Sequence, residues 1–514
     1  MSQSKNNQIA KNSLFLYFRM AILLVITLYT SRVVLKVLGV DDYGIYNVVG
    51  GVISIIASLQ WALSSASKRY ICYAVGIGDN VKTNKIFNTL LTVHLLVATV
   101  IALIAECIGF WFISEKMNIP VDRLDAAYWV LHCSVISVLV IFINYPYNGL
   151  IVANEKFNVY AVLSIIDASL RLGIALILPV IKVDSLVIYA ILIVSVQVAL
   201  QLLYYLYCKK KYPFIKYRFL YEKGLIKEIL GFSFWMIIGC LALILVQQGC
   251  NIILNLIWGV ALNAAFAVAV QIQNAVNQFS GNVVTAIQPQ IIKLYAEKNY
   301  DRMCKVVCLG TKMNIFLLMI PVVPLLFLMP VVLSLWLGDV PCYSVEFASL
   351  ILPIVMCKIL CAPLMTALQA SGNIRRMQTS EAIVLFLSLP FIYIATRYIY
   401  KSPVTPMCVW LLFEFINSMV KCFIACRTLK ISVRAYVLQV VLPITKVVAS
   451  VMAVGLIVKL AGIHNIWLHS TLTCFVSVAS LIIIAYMWGF SRDEKKRIQD
   501  IVQVVYGKIF TSHK

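Results

Sequence analysis

Long apolar runs, separated by short charged or turn-rich breaks, recur from one end of the chain to the other. Reading each run between its breaks gives fourteen spans: residues 14–38, 43–67, 86–113, 126–151, 159–181, 185–207, 230–257, 261–288, 306–336, 344–370, 380–399, 404–426, 440–461 and 466–490. Each comes close to or exceeds the ~20 residues that carry a helix across the hydrocarbon core of a bilayer. The pattern predicts an all-α polytopic membrane protein with about fourteen transmembrane helices. The first run, beginning near Leu14, is too long for a signal peptide and has no small-residue cleavage site, so it is expected to stay as a helix.

Composition agrees. Of 514 residues, 62% are hydrophobic and 12% charged, more apolar surface than a soluble protein of this size can cover. The formal net charge of +22 would point a soluble protein towards nucleic acid. Here Lys and Arg fall in short segments between apolar runs, which is how cytoplasmic loops are marked, and nucleic acid is not an expected partner. With the amino terminus inside, the inner segments hold Lys68, Arg69, Lys82, Lys85, the run KKKYPFIKYRFLYEKGLIKE at 209–228, Arg375 and Arg376. The outer ones hold mostly Asp41, Asp42, Glu115, Asp122, Asp125, Asp184, Asp339 and Glu346, with few cations such as Lys116, Arg123 and Lys182. Both termini are expected in the cytoplasm. The 15 cysteines include three pairs spaced four apart, but no CxxC and no His at zinc-ligand spacing. They read as packing residues, and no metal or other cofactor is implied.

An internal repeat divides the chain. LGVDDYGIYNVV at 38–49 lines up with WGVALNAAFAVA at 258–269, and the same register pairs GDNVKTNKIF at 78–87 with KNYDRMCKVV at 298–307. PYNGLIVANEKF at 146–157 resembles PLMTALQASGNI at 363–374. Two six-helix lobes, both starting from the cytoplasm, make a parallel pseudo-symmetric repeat. The expected organisation is an amino-terminal lobe at 1–208, a basic cytoplasmic linker at 209–229, a second lobe at 230–427, and two added helices with a basic tail at 428–514.

Charges near helix ends need no function, because long side chains reach the interface. Arg32 lies about 13 Å below Asp41 at 1.5 Å per residue, too deep for that. Arg171 sits about 15–18 Å from either end of its helix, with Asp167 one turn earlier at a spacing that permits an ion pair. Lys358 and Glu414 are equally central. Each such charge costs at least ~2.5–3.5 kcal/mol to insert. Two readings account for them: salt bridges with no transport role, or a water-filled cavity between the lobes lined mainly by cations, which the depth of the cations favours. His94 reads as a packing histidine. Prolines in PVVPLLFLMP and LPIVMCKILCAP mark helices that bend. There is no Walker motif, no HExxH and no loop large enough for a soluble domain.

QIAKNSLFLYFRM, LYTSRVVLKVLGVDDYGIYNVVGGV and NYPYNGLIVANEKFNVYAVLSIIDASLRL resemble the polysaccharide transporter family, and within it the O-antigen and capsule repeat-unit flippases of bacterial glycan clusters. The resemblance implies a member of the multidrug/oligosaccharidyl-lipid/polysaccharide superfamily. Such a protein moves undecaprenyl-pyrophosphate-linked oligosaccharide across the bacterial cytoplasmic membrane by alternating access, without ATPase activity. It places Arg32, Arg171 and Lys358 where they would attract pyrophosphate or acidic sugar, and Arg69 at the inner entrance. Asp167 and Glu414 would set the field or exchange H+ or Na+. In SKRYICYAV at 67–75, Lys68 stands where relatives often have a neutral polar residue. Expected partners are the lipid-linked oligosaccharide, membrane lipids and other glycan-assembly proteins. The rival readings are a multidrug exporter of the same superfamily and, from another class, a membrane-embedded polysaccharide polymerase or ligase.

The charge pattern makes the topology testable. In a background without the native cysteines, Asp122→Cys is expected to react with a membrane-impermeant maleimide from outside, and Lys210→Cys only after permeabilisation. The reverse pattern would invert the topology.

Overall fold

The computed structural model describes residues 60–492 apart from 116–118, 182–183, 219–221, 259 and 461–465, together with 494, 495 and scattered positions between 16 and 49. Every regular element among the described residues is helical. In chain order they are α1 (Gln60–Ile77), α2 (Asn80–Glu115), α3 (Leu124–Ala153), α4 (Phe157–Ile177), α5 (Ser185–Lys211), α6 (Lys223–Trp258), α7 (Val260–Ala296), α8 (Tyr300–Leu337), α9 (Ser344–Leu360), α10 (Ala362–Ser371), α11 (Arg375–Ile394) and α12 (Thr405–Thr428). Two more complete the described chain: α13 (Val433–Leu460), interrupted by a π-helical turn at Val437–Val441, and α14 (Trp467–Gly489).

Eleven of the expected fourteen spans appear as helices long and apolar enough to cross a membrane. The first expected span is described only in part, and the second lies mostly outside the described residues. The eighth is α7, a 37-residue helix that misses that standard because Gln and Asn recur along it. Pro363 sets the break between α9 and α10. Its ring clashes with the carbonyl four residues earlier and it has no N–H to donate, and the helix is interrupted at Cys361.

The helices form two units, one of Leu14–Ile237 and one mainly of Ile238–Lys514, with the boundary inside α6. In the first unit α3 is central and packs against α1, α2 and α5. Small residues let it come close: Ala98, Ala102 and Ala105 of α2 join Ala127, Val130 and Leu131 of α3 in the core. A Cβ on Gly109 would lie 2.3 Å from the Leu131 side chain. The segment after α5 is tied to α2, where Asn88 Nδ2 donates to the Lys216 carbonyl (2.9 Å) and Asn84 Oδ1 accepts from Lys216 N–H (3.1 Å). In the second unit α7 packs on α8, α9 and α10, and α12 on α9 and α11. The two added helices dock on α8 through glycines: Gly455 meets the Phe327 ring and Gly489 the Phe316 ring. Lys312 of α8 donates to Glu494 (2.8 Å) just beyond α14.

The repeat is visible in the backbone. Helices begin at Asn80 and Tyr300, Leu124 and Ser344, Phe157 and Arg375, and Ser185 and Thr405, offsets of 220, 220, 218 and 220. Left-handed residues that end helices recur at close to the same offsets: Gly78 with Lys298 (220) and Glu155 with Gly372 (217). Glycine supplies that conformation at little cost, whereas Lys298 and Glu155 adopt it at a cost of about 1 kcal/mol or more each. In both halves, helix ends of the same geometry are kept with different residues.

On the side assigned to the outside, Arg123 at the start of α3 holds two carboxylates. Its Nε donates to Asp42 Oδ1 (2.8 Å), its Nη1 to Asp184 Oδ2 (2.6 Å), and its Nη2 also contacts Asp42. Asp184 in turn caps α5 by accepting from the N–H groups of Leu186 (3.0 Å) and Val187 (3.2 Å). Burial by itself would raise the Asp184 pKa, but the Val187 N–H and Arg123 outweigh it and hold the carboxyl below its ordinary value. A depressed carboxyl contributes its full stabilisation above the unfolded value of ~3.9 and loses it as pH falls through the lower folded value. Arg123→Met is therefore expected to destabilise the purified protein by about 2 kcal/mol at neutral pH. Thermal melts should show the gap from wild type narrowing below about pH 4; a gap independent of pH would exclude the carboxylates as its source.

Candidate functional site

In the first unit, polar side chains line up along α3, α4 and α5. Arg171 Nε donates to Asp167 Oδ1 at 2.7 Å, one turn apart on α4. The two side chains are 33% and 35% exposed, so the pair is not sealed in protein packing. Arg171 makes no other hydrogen bond among the described residues, leaving its Nη groups available. Near the same face, the Arg19 guanidinium stacks over the Tyr160 ring at 4.6 Å. Tyr204 of α5 has Asn148, Arg19 and Asp167 among its polar and charged neighbours. Asn144 donates to Gln201 (2.8 Å) and Tyr145 to Gln60 (2.7 Å). This arrangement offers cations and neutral hydrogen-bonding groups within one unit.

Arg69 lies at the other sequence-selected position in this unit. It is only 9% exposed. Its guanidinium stacks between the rings of Tyr70 (4.3 Å) and Phe232 (4.8 Å), and Nη1 is 3.9 Å from Glu228. Tyr70 OH also donates to Glu228 (3.2 Å). The stacking fixes the plane of the fork, yet Nε and Nη1 have no hydrogen-bond partner among the described residues. A buried donor without a partner costs about 1–3 kcal/mol. His94 is satisfied: its ring nitrogens lie 2.7 Å from the Leu90 carbonyl and 3.2 Å from Ser67 Oγ.

The second unit gathers Lys358 and Glu414 with two charges that the sequence reading passed over. Lys421 of α12 donates to Glu381 of α11, and both are buried. Glu414, also buried, accepts from Asn417 (3.3 Å) and has Lys421 and Lys358 as electrostatic neighbours. Four charges of zero net sign thus sit together. Part of this is present in the sequence, because Glu414, Asn417, Ser418 and Lys421 recur at helical spacing on one face of α12. Glu381 could not be paired with Lys421 without the packing of α11 on α12. Of the sequence-selected residues, the structure pairs Asp167 with Arg171, leaves Lys358 as an electrostatic neighbour of Glu414 without a direct ion pair, and places Arg69 apart in its aromatic clamp. Arg32 lies outside the described residues.

Three comparisons bear on this arrangement. Residues 9–295, more than half of the chain, match the family described as "Polysaccharide biosynthesis protein". Among curated proteins the chain is 22% identical over 318 residues to the "Uncharacterized membrane protein EpsK" of Bacillus subtilis (strain 168), covering 61% of this chain. The match takes in 62% of that protein, so the chain spans less than two thirds of its curated relative's length. Solved structures of the same fold include MATE in the bent conformation, with a TM-score of 0.72 at 14% identity over 84% of this chain and 98% of that one. An outward-facing multidrug resistance MATE family transporter of the MOP superfamily gives 0.71 at 14% identity, covering 84% and 97%. A MOP superfamily transporter from Pyrococcus furiosus Vc1 (DSM3638), described by a binding pocket of reverse polarity and a different function, gives 0.70 at 15% identity, covering 83% and 96%. At these identities the likeness is one of fold.

The buried quartet generates its own test. Lys421→Met removes one partner and leaves two carboxylates short of charge, which is expected to cost about 3–5 kcal/mol. Lys421→Met with Glu381→Leu should recover most of that loss, because Glu414 keeps Lys358. Heating followed by size-exclusion chromatography reads both; a double variant as unstable as the single one would show that the pair is not what holds α11 to α12.

Proposed function

The chain belongs to the polysaccharide biosynthesis protein family, and from that membership we propose that it flips undecaprenyl-pyrophosphate-linked oligosaccharide repeat units. The transfer runs from the inner to the outer leaflet of the bacterial cytoplasmic membrane, by alternating access, in the assembly of a surface polysaccharide. Family and fold point to a transporter rather than an enzyme.

The observation that carries the reading is the pair of incompletely satisfied cations, Arg69 with two buried donors unpaired in an aromatic clamp and Arg171 with free Nη groups beside a carboxylate about one-third exposed. Guanidinium groups bind phosphate oxygens in parallel, with a fork geometry that Lys does not offer. Arg69 would receive the pyrophosphate at the inner entrance, and Arg171, Arg32 and Lys358 would attract it further along. Asp167 and Glu414 would set the field or exchange H+ or Na+ during the cycle. An ion gradient or the membrane potential would supply the energy, at ~2.3 kcal/mol per charge for each 100 mV. A multidrug exporter shares the fold, but cationic drugs call for acidic and aromatic contacts, and the free groups here are cationic.

Proteoliposomes carrying a fluorescent undecaprenyl-pyrophosphate oligosaccharide test the proposal: protein-dependent loss of protection from an external glycosidase is expected. Replacing Asp167 and Arg171 together by Leu should stop the transfer at normal protein levels. Full transfer by that double variant would reduce the pair to a replaceable salt bridge, and no transfer by wild type would remove the flippase reading.

A further inference from the structure

Helix α7 differs from the helices around it in what it leaves exposed. Its described exposed positions are Ala264, Ala267, Gln271, Asn274, Ala275, Gln278 and Gly281, spaced along one helical face. Not one is a large apolar residue. Its neighbour α6 instead exposes Leu230, Phe234, Leu241, Leu245, Ile252 and Leu256, and α11 exposes Ile383, Phe386, Leu387 and Phe391, as lipid-facing helices do. Gln271, Asn274 and Gln278 form no hydrogen bond with any described residue. On the opposite, buried face, Ser280 Oγ donates to Asn314 (3.0 Å). Three amides with nothing to bond to cannot rest against hydrocarbon without loss, so this face meets water and whatever the water carries.

We infer that the α7 amide stripe is a binding face for uncharged, hydroxyl-rich sugar, the glycan part of the transported lipid. Each amide presents two donors and an acceptor, which suits a ring bearing alternating hydroxyls, and none carries a charge that would favour an ion. From Gln271 to Gln278 is two helical turns, about 10 Å, the scale of a disaccharide. Ala264, Ala267, Ala275 and Gly281 leave room for bulky rings beside the amides. The absence of large apolar or aromatic side chains from the described exposed face disfavours a hydrophobic drug. This inference rests on the glycolipid reading above and adds to it the residues that contact the saccharide.

The test compares two probes on the full chain in nanodiscs: undecaprenyl pyrophosphate bearing a neutral trisaccharide, and undecaprenyl pyrophosphate alone. Wild type is expected to bind the glycosylated carrier more tightly. In the triple variant Gln271→Leu, Asn274→Leu, Gln278→Leu that advantage should fall about tenfold, while affinity for the bare carrier is unchanged. Should the triple variant not accumulate, Gln271→Ala, Asn274→Ala and Gln278→Ala made singly are each expected to lose about twofold of it. Equal binding of both probes by wild type, or an undiminished advantage in the variants, would overturn the inference and leave the flippase reading standing. Loss of a dimer with the advantage intact would assign the face to self-association instead. A wild-type chain that binds neither probe would fail the flippase reading, and the inference with it.

Discussion

A polar group in hydrocarbon must find a partner, reach water, or be paid for by packing elsewhere, and this constraint sorts nearly every charge in the chain. On the side assigned to the outside, Arg123 is saturated by two carboxylates and serves to tie α3 and α5 together. In the second unit, Lys421 and Glu381 neutralise one another in the packed interior, with Glu414 and Lys358 beside them. Among the groups left without a hydrogen-bond partner in the described residues are two donors on Arg69, the Nη groups of Arg171, and three amides on α7. Those unsatisfied groups are where a ligand has something to gain, and the satisfied ones hold the places of the helices that carry them.

The apolar runs were legible because span length and hydrocarbon thickness are tied by one number, the rise per residue. Even α7, whose amides dilute its hydropathy, was readable from its position in the repeat. The break before Pro363 follows from a local clash. Pairings that join distant helices were not legible. Glu381 and Lys421 sit towards the ends of their helices, where a charge ordinarily reaches the interface, and only the contact of α11 with α12 reveals them as a buried pair. Arg123 shows the same limit from the other side: its sequence position marks a loop, while its structural use depends on Asp42 and Asp184 arriving from far along the chain.

The repeat sharpens the comparison, because the backbone is kept and the chemistry is not. In the register of the helix starts, Asp167 and Arg171 of α4 fall opposite Leu385 and Leu389 of α11, while Glu414 and Lys421 of α12 fall opposite Val194 and Gln201 of α5. Each half therefore carries its membrane-depth charges at positions that are apolar or neutral in the other. They also differ in access, since the Asp167–Arg171 pair is about one-third exposed and the Glu381–Lys421 pair is buried. A pair outside the protein packing, where water reaches it, can exchange partners at modest cost. A buried pair resists separation, because either ion left alone costs several kcal/mol.

That asymmetry matches the two chemistries of the proposed cargo. The pyrophosphate is the same for every glycan built on this carrier, so fixed guanidinium groups with defined planes suit it. The saccharide varies, and neutral amides that donate and accept in either sense tolerate a change of hydroxyl pattern better than charges would. Affinity for the carrier can then be set by Arg69 and Arg171 while discrimination among glycans is set elsewhere on the chain. Substitutions on the exposed face of α7 alter sugar preference without disturbing a salt bridge, because no described ion pair involves that face. Selection on glycan structure would therefore act on α7 more freely than on the charged helices, whose residues are held by one another.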